Sequence, residues 1–279
     1  MLKEAINKLS AAAIITIAAL AVASCSDGSK EKAQALSNEA TEAISTGNYK
    51  LAIELLDSID SAYPAQTEIR RAGMHTRAKA IEGQTLIDLQ TTDSLTALAT
   101  APSDKLKDII TFVTNPVEGY YVAKSQKDVA VEKTEGIHAR ISPEGMFYII
   151  SSAKPGTNST GVELSEGNTK ASSASIAYDG ERNDRSRGAE VITYTPAECD
   201  TIGRYAMEHA NEPLTLTFTG GKSRSFKMNT AQAQALAQVY SASLVYRQLR
   251  LLQLQKQKLE QQLTISRSQQ ARTFKEEKK

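Results

Sequence analysis

VYRQLRLLQLQKQKLEQQL, residues 245–263, decides how the rest of the chain is arranged. Val245, Leu249, Leu252, Leu259 and Leu263 fall at spacings of 4, 3, 7 and 4, an a/d seam interrupted at Lys256. That period keeps an apolar edge on one side of a helix, and the edge needs a second helix to cover it. Asn229-Thr230 caps the helix, and neither Gly nor Pro follows before the C-terminus. The natural partner within the chain is residues 66–100, a proline-free run with apolar positions at Ile69, Ala72, Ala80, Leu86, Ile87, Leu95 and Leu98. Gly73 and Gly83 weaken that helix by about 1 kcal/mol each relative to Ala and allow another helix to approach closely. Charge supports the pairing, because residues 25–118 hold 14 acids and 9 bases whereas residues 230–279 hold 3 and 9. Self-association through the seam is its competing use.

Ahead of the long run lie two shorter amphipathic segments. Ala33, Leu36, Ala40, Ala43 and Ile44 recur at helical spacing until Gly47-Asn48, and Ala52, Ile53, Leu55, Leu56 and Ile59 recur until Pro64. Gly47 and Tyr49 at the turn, Ala52, Leu56 and Ile59 on the inner face and the closing Pro64 resemble one tetratricopeptide-type helical hairpin. No second copy follows at the roughly 34-residue period such arrays need, so a solenoid groove cannot be built from this chain alone. Pro102-Ser103-Asp104 starts a further short helical stretch through Ile109-Ile110.

From Tyr120 the period changes to two. Short β-rich runs occupy residues 120–123, 129–132, 137–141, 146–151, 162–164, 175–178 and 189–194, with two more at 214–218 and 223–228. Pro143-Glu144-Gly145, Asp179-Gly180 and Gly220-Gly221 read as hairpin turns, the last most strongly. Alternation over Ile137, Ala139 and Ile141 describes an antiparallel sheet with one wet face. Residues 152–173 are rich in Ser, Thr and Gly and read as mobile loops. Residues 196–209 form a helix with Thr195 as its N-cap. The fold class is therefore α+β: an N-terminal helical hairpin plus a long helix, an antiparallel β module, and a long C-terminal helix packing back on the N-terminal helices.

The first 25 residues have a different purpose. Lys3 and Lys8 precede an apolar stretch, residues 11–22, too short for a comfortable bilayer span, and Val22-Ala23-Ser24-Cys25 follows it. These residues resemble the signal peptide and lipobox of bacterial lipoproteins. The resemblance implies cleavage before Cys25, acylation of that cysteine by palmitate-type chains, and stable membrane attachment. The division expected is a signal peptide over 1–24, a polar tether over 25–32, a helical region over 33–118, a β module with one helix over 119–229, and the long helix over 230–279. With Ser26 rather than Asp directly after the cysteine, the resemblance implies the outer membrane, and with sparse acids beyond it, the periplasmic face rather than the cell surface. In its order of parts the chain resembles uncharacterised lipoproteins of Bacteroidota, a likeness that carries no activity or site residues with it.

The remaining residues narrow the function classes. Acids and bases balance over residues 25–279, which argues against nucleic acid as a partner. Trp is absent and aromatics are 5%, little material for stacking platforms. No phosphate loop, dinucleotide fingerprint, HExxH, CxxC or GxSxG occurs, so no cofactor, metal or catalytic residue is assigned. His75, His138 and His209 lack partners at ligand spacing. Cys199 lies between Glu198 and Asp200, a setting that suppresses thiolate formation. Asp57 and Asp60 share a helix face and read as solvated rather than as a carboxylate pair. Asp57-Ser58-Ile59, Asp60-Ser61-Ala62, Asp93-Ser94-Leu95 and Asp200-Thr201-Ile202 look like O-glycosylation acceptors of Bacteroidota. The first, third and fourth lie on helices that should bury the apolar residue. The expected function is a lipid-anchored envelope protein, non-catalytic, with a structural or protein-binding role. Its expected partners are the membrane, an envelope protein or a second copy through the C-terminal helix. The alternatives are glycan or peptide capture on loops 152–187 and, third, an envelope hydrolase.

Overall fold

The computed structural model describes residues 26–186 and 188–277. Cys25 and the signal segment lie outside them. Five helices and ten strands follow in the described chain. Helices α1 (Ser26–Ser45), α2 (Tyr49–Ala62) and α3 (Thr67–Leu106) come first, and α4 (Pro196–Glu208) and α5 (Thr230–Glu277) come later. The fold is α+β, with two antiparallel sheets and a long C-terminal helix against the N-terminal ones. Residues 26–84 with 266–277 make one compact unit, and residues 85–265 make the other.

In the first unit α1 and α2 close through small residues. Ala33, Ala40, Ala43 and Ala52 are buried between them, with Leu55, Leu56 and Ile59 completing the core. Asn48 caps α2 by accepting a hydrogen bond from Leu51 N. Gly83 of α3 lies beneath the Tyr49 ring and Gly73 beneath Leu56, the close approach expected of both glycines. Near the end of α5, Arg267 Nε meets Glu82 at 2.7 Å. Residues 26–32, expected as a tether, are instead the first turns of α1. Their Ser, Lys and Glu side chains tolerate helix, and the α2 side of α1 holds Ala33 in place.

The second unit is the β module with the helices that cover it. Its six-stranded sheet runs β1 (Ile110–Val113), β2 (Tyr120–Ala123), β3 (Gly136–Ile141), β4 (Phe147–Ala153), β8 (Glu190–Tyr194), β7 (Asn183–Asp184). The four-stranded sheet runs β10 (Arg224–Lys227), β9 (Thr215–Gly220), β5 (Ser159–Glu166), β6 (Thr169–Ser172). Phe147, Ile149, Leu164, Ile192, Phe218 and Leu236 share one core with α4 and the first half of α5. Thr195 and Glu198 form a reciprocal capping box at the start of α4.

Several expectations are corrected here. The wet face is absent from β3 and β4, where His138, Ser151 and Ser152 are buried alongside the apolar set. Residues 129–132 contribute only a 3-10 turn at Val131–Lys133, and residues 175–178 form no strand. The segment expected as mobile loops, 152–173, contains β5 and β6. Ile110 begins a strand, not the end of a helix, because Ile110-Thr111-Phe112-Val113 is β-branched and aromatic. Helix α3 runs unbroken through Pro102. That residue is exposed, so the carbonyl left without its N–H partner faces water.

The face of α3 differs in part from the one expected: Ile69 and Ala80 are buried as expected, but the later positions are not. Leu86, Ile87, Leu95 and Leu98 are exposed, while Ala78, Thr85 and Thr92 are buried. Thr92 Oγ1 donates to Asp88 O at 2.8 Å and Thr96 Oγ1 to Thr92 O at 2.7 Å. With their hydroxyls satisfied within the helix, these threonines act as small apolar knobs. On α5, Leu252 and Leu259 are buried.

Candidate functional site

The first unit carries an open groove of about 420 Å³ between α2 and α3. Leu56, Ile59 and Ile69 form its floor, Met74 stands 59% exposed at its side, and Arg70, Arg71 and Arg77 line its rim. Asp57 and Asp60 lie on an exposed face of α2, as expected, and there they meet the arginines of α3. Arg77 pairs with both, reaching Asp60 Oδ2 at 2.7 Å, and Arg70 Nε reaches Asp60 Oδ1 at 2.7 Å. Arg70 also donates to Pro64 O at 3.1 Å, tying the end of α2 to α3. The hydrogen bond from Arg70 lowers the Asp60 pKa, with the charges of both arginines adding to it. Arg71 has no ion-pair or hydrogen-bond partner among the described residues. An apolar floor beside one uncommitted guanidinium suits a peptide carrying an apolar side chain and a carboxylate.

A second groove, about 460 Å³, opens in the β module along the edge strand β1. Phe112, Tyr121 and Tyr246 form a chain of rings there, with centroids 4.8 and 4.9 Å apart. Burial pushes the Tyr246 hydroxyl above its ordinary pKa. Lys107 and Lys124 flank the rings. Lys107 is held by Asp104 at 2.6 Å, which leaves Lys124 as the cation available to a ligand. Aromatic faces next to a lysine can take a sugar ring bearing an acid.

The remaining titratable groups are committed to structure. His138 Nε2 bonds Thr134 O at 2.9 Å, and burial lowers its pKa so that the ring is neutral at pH 7. His209 Nδ1 bonds Glu212 Oε2 at 2.7 Å and stacks on Tyr205. The Tyr205 hydroxyl accepts from Glu166 N at 2.7 Å and donates to Thr169 O at 2.9 Å, clamping the β5–β6 hairpin. Burial raises the Cys199 thiol to about 12, with Asp200 and Glu198 adding to it. Glu190 is buried and accepts from Asn158 N and Ser159 N, both at 2.9 Å. Asn183 holds Ser159 O and Ile176 O, so much of the region expected to capture ligand is pinned. Among the described residues no three His, Cys, Asp or Glu side chains are placed to hold a metal.

Of the four tripeptides, Ile59 and Ile202 are buried as expected, whereas Leu95 is exposed. Sequence reading missed Arg70, Arg71 and Arg77 as a group. Their signal was there in Arg70 and Arg77, two turns apart on one helix, opposite Asp57 and Asp60 on the helix before it. No known protein family, curated protein or solved structure matches the chain. No described helix is long and apolar enough to cross a membrane.

Proposed function

We propose that this chain is a lipid-anchored, non-catalytic cell-envelope protein that binds another envelope protein through the groove between α2 and α3. The observation that carries the reading is Arg71 beside an apolar floor, with Met74 exposed next to it. Attachment is through Cys25, to the outer membrane on its periplasmic side. Membrane and partner are then the two things this protein holds together.

A photo-crosslinking side chain at Met74, activated in intact cells, tests the partner. A single protein adduct that Arg71→Glu abolishes is the expected result. Adducts unchanged by Arg71→Glu, or none at all, count against it. For the anchor, Cys25→Ala should leave the chain uncleaved and without labelled palmitate, and persistent labelling would remove the lipobox from the argument.

A second reading has its own support in the ring chain Phe112–Tyr121–Tyr246 with Lys124. Here the protein captures an acidic glycan or peptide fragment. A thermal shift with envelope oligosaccharides that disappears in Tyr121→Ala would favour it over protein binding. Turnover of any envelope polymer by the pure chain would displace both.

A further inference from the structure

Helix α1 leaves no slack between the first unit and the residue read as its anchor. It begins at Ser26, the residue directly after Cys25, and runs unbroken to Ser45. Ser29 is thus within about 8 Å of Cys25, one peptide step of about 3.8 Å and three helical steps of about 1.5 Å. The headgroup layer on each side of the hydrocarbon core is itself about 5–8 Å deep. At Ser29 the Oγ accepts a hydrogen bond from Gln66 Nε2 at 3.1 Å, which ties the first turn of α1 to the link between α2 and α3. That link, Tyr63-Pro64-Ala65-Gln66, is therefore held beside the end of the unit from which the lipid would extend. The opposite end of the hairpin, Thr46-Gly47-Asn48, is the length of α1 away, about 30 Å for its 20 residues.

The turn is rigid. Tyr63 N donates to Ile59 O and Gln66 N to Tyr63 O, both at 3.0 Å, and Arg70 Nη1 holds Pro64 O at 3.1 Å. Its place is set by the helices it joins. Residues 61–67 carry no charge, so bringing them into the headgroup layer strips no ion of its water. Ala62, Pro64 and Ala65 are exposed, and the half-buried Tyr63 supplies the amphipathic ring that suits a membrane–water boundary. Electrostatic pull plays no part, because residues 26–32 and residues 60–71 each hold two acids and two bases. The covalent junction does the seating. We propose that the α2–α3 turn is a second membrane contact, in which the direct junction of the lipid anchor with α1 seats Tyr63-Pro64-Ala65 in the headgroup layer. This rests on acylation at Cys25 and takes the bilayer itself as the occupant of the turn, with no flexible tether between them.

Depth quenching tests this on the acylated chain, purified from cells and placed in phosphatidylcholine vesicles that contain a lipid with a nitroxide on its headgroup. A fluorophore is attached at Ala65→Cys in one sample and at Lys50→Cys, beside the far turn, in the other. Cys199 is buried and takes no label. The probe at residue 65 should be quenched several-fold more than the probe at residue 50. Inserting about ten Gly and Ser residues after Asp27, a flexible span of about 17 Å, should bring both probes to similar, weak quenching. The proposal is overturned if residue 65 is quenched no more than residue 50, or if the insertion leaves the difference intact. Intact mass tells this failure from failure of the anchor. A chain without acyl groups removes the lipobox and the contact together, whereas an acylated chain with equal quenching at the two sites removes the contact alone.

Discussion

At the scale of single residues, Gly203 shows how tightly α5 is seated. A methyl group there would meet the Tyr240 ring and, at 2.8 Å, the Phe147 ring, and both rings are buried. Those rings are themselves packed edge to face, 5.0 Å apart, and have no free volume to turn into. Helix propensity favours Ala over Gly by about 1 kcal/mol, whereas forcing a methylene into a filled core costs about 1–3 kcal/mol. Gly203→Ala should therefore lower stability in urea unfolding by up to about 2 kcal/mol. Gly28, with nothing near its Cβ position, provides the opposite sign: Gly28→Ala should be neutral or stabilising in the same assay. Cys199 gives a prediction read by chemistry. With its thiol pushed up to about 12 by burial, it is protonated at pH 8. In the Cys25→Ala chain, whose one remaining thiol is Cys199, a disulfide reagent at pH 8 should label only the denatured protein. Rapid labelling under native conditions would show that the site opens.

At the scale of elements, the pairing of α3 with α5 is where sequence reading succeeded and failed at once. The heptad of Leu249, Leu252, Leu259 and Leu263 was legible because leucines at 4-3 spacing have few other uses. Its partner was identified, but the partner's buried face only at Ile69 and Ala80. The reason is physical: α5 supplies the large side chains, so α3 answers with small ones, Ala78, Thr85 and Thr92, and a threonine reads as polar in a pattern. The same blindness hid the burial of His138, Ser151, Ser152 and Glu190 in the sheet, since alternation cannot reveal that a second layer covers the other face. The grooves were invisible for a related reason. Arg71 becomes a site residue only once the preceding helix folds back beside it, and Tyr246 only once β1 and β2, distant in sequence, stand next to it. The pairing itself can be tested by ending the chain after Ile265. That removes Arg267 and Gln270 from Glu82 and from Ala78 O. Amides of α3 around residues 78–84 should then exchange hydrogen faster by about tenfold or more, while β3 and β4 keep their protection. Unchanged exchange in α3 would mean that its stability does not depend on the last turns of α5.

At the scale of the whole molecule, the two units have cores of different quality. Five of the nine core residues in the first unit are alanines. Each brings one methyl group, whereas a fully buried Leu, Ile or Phe is worth about 1.5–3 kcal/mol. The second unit's core is built from such residues, with Phe147, Tyr194, Phe218 and Tyr240 among them, inside hydrogen-bonded sheets. Alanine contacts let α1 and α2 lie close together, but they leave little apolar area to hold the hairpin against the entropy of unfolding. The first unit is also where the groove proposed for a partner lies, and binding surfaces are drawn from regions that open at low free energy. It follows that native-state hydrogen exchange should separate the two. Amides in residues 26–62 should exchange through a sub-global opening at low denaturant, and those of β3, β4 and β9 only near global unfolding. Leu56→Ala should widen that gap by about 2–5 kcal/mol, because it deletes one of the few large side chains in the smaller core. Ile149→Ala should instead bring the strands down towards the hairpin. If both substitutions shift all amides equally, the chain unfolds as one cooperative body and the weakness assigned to the alanine core is wrong.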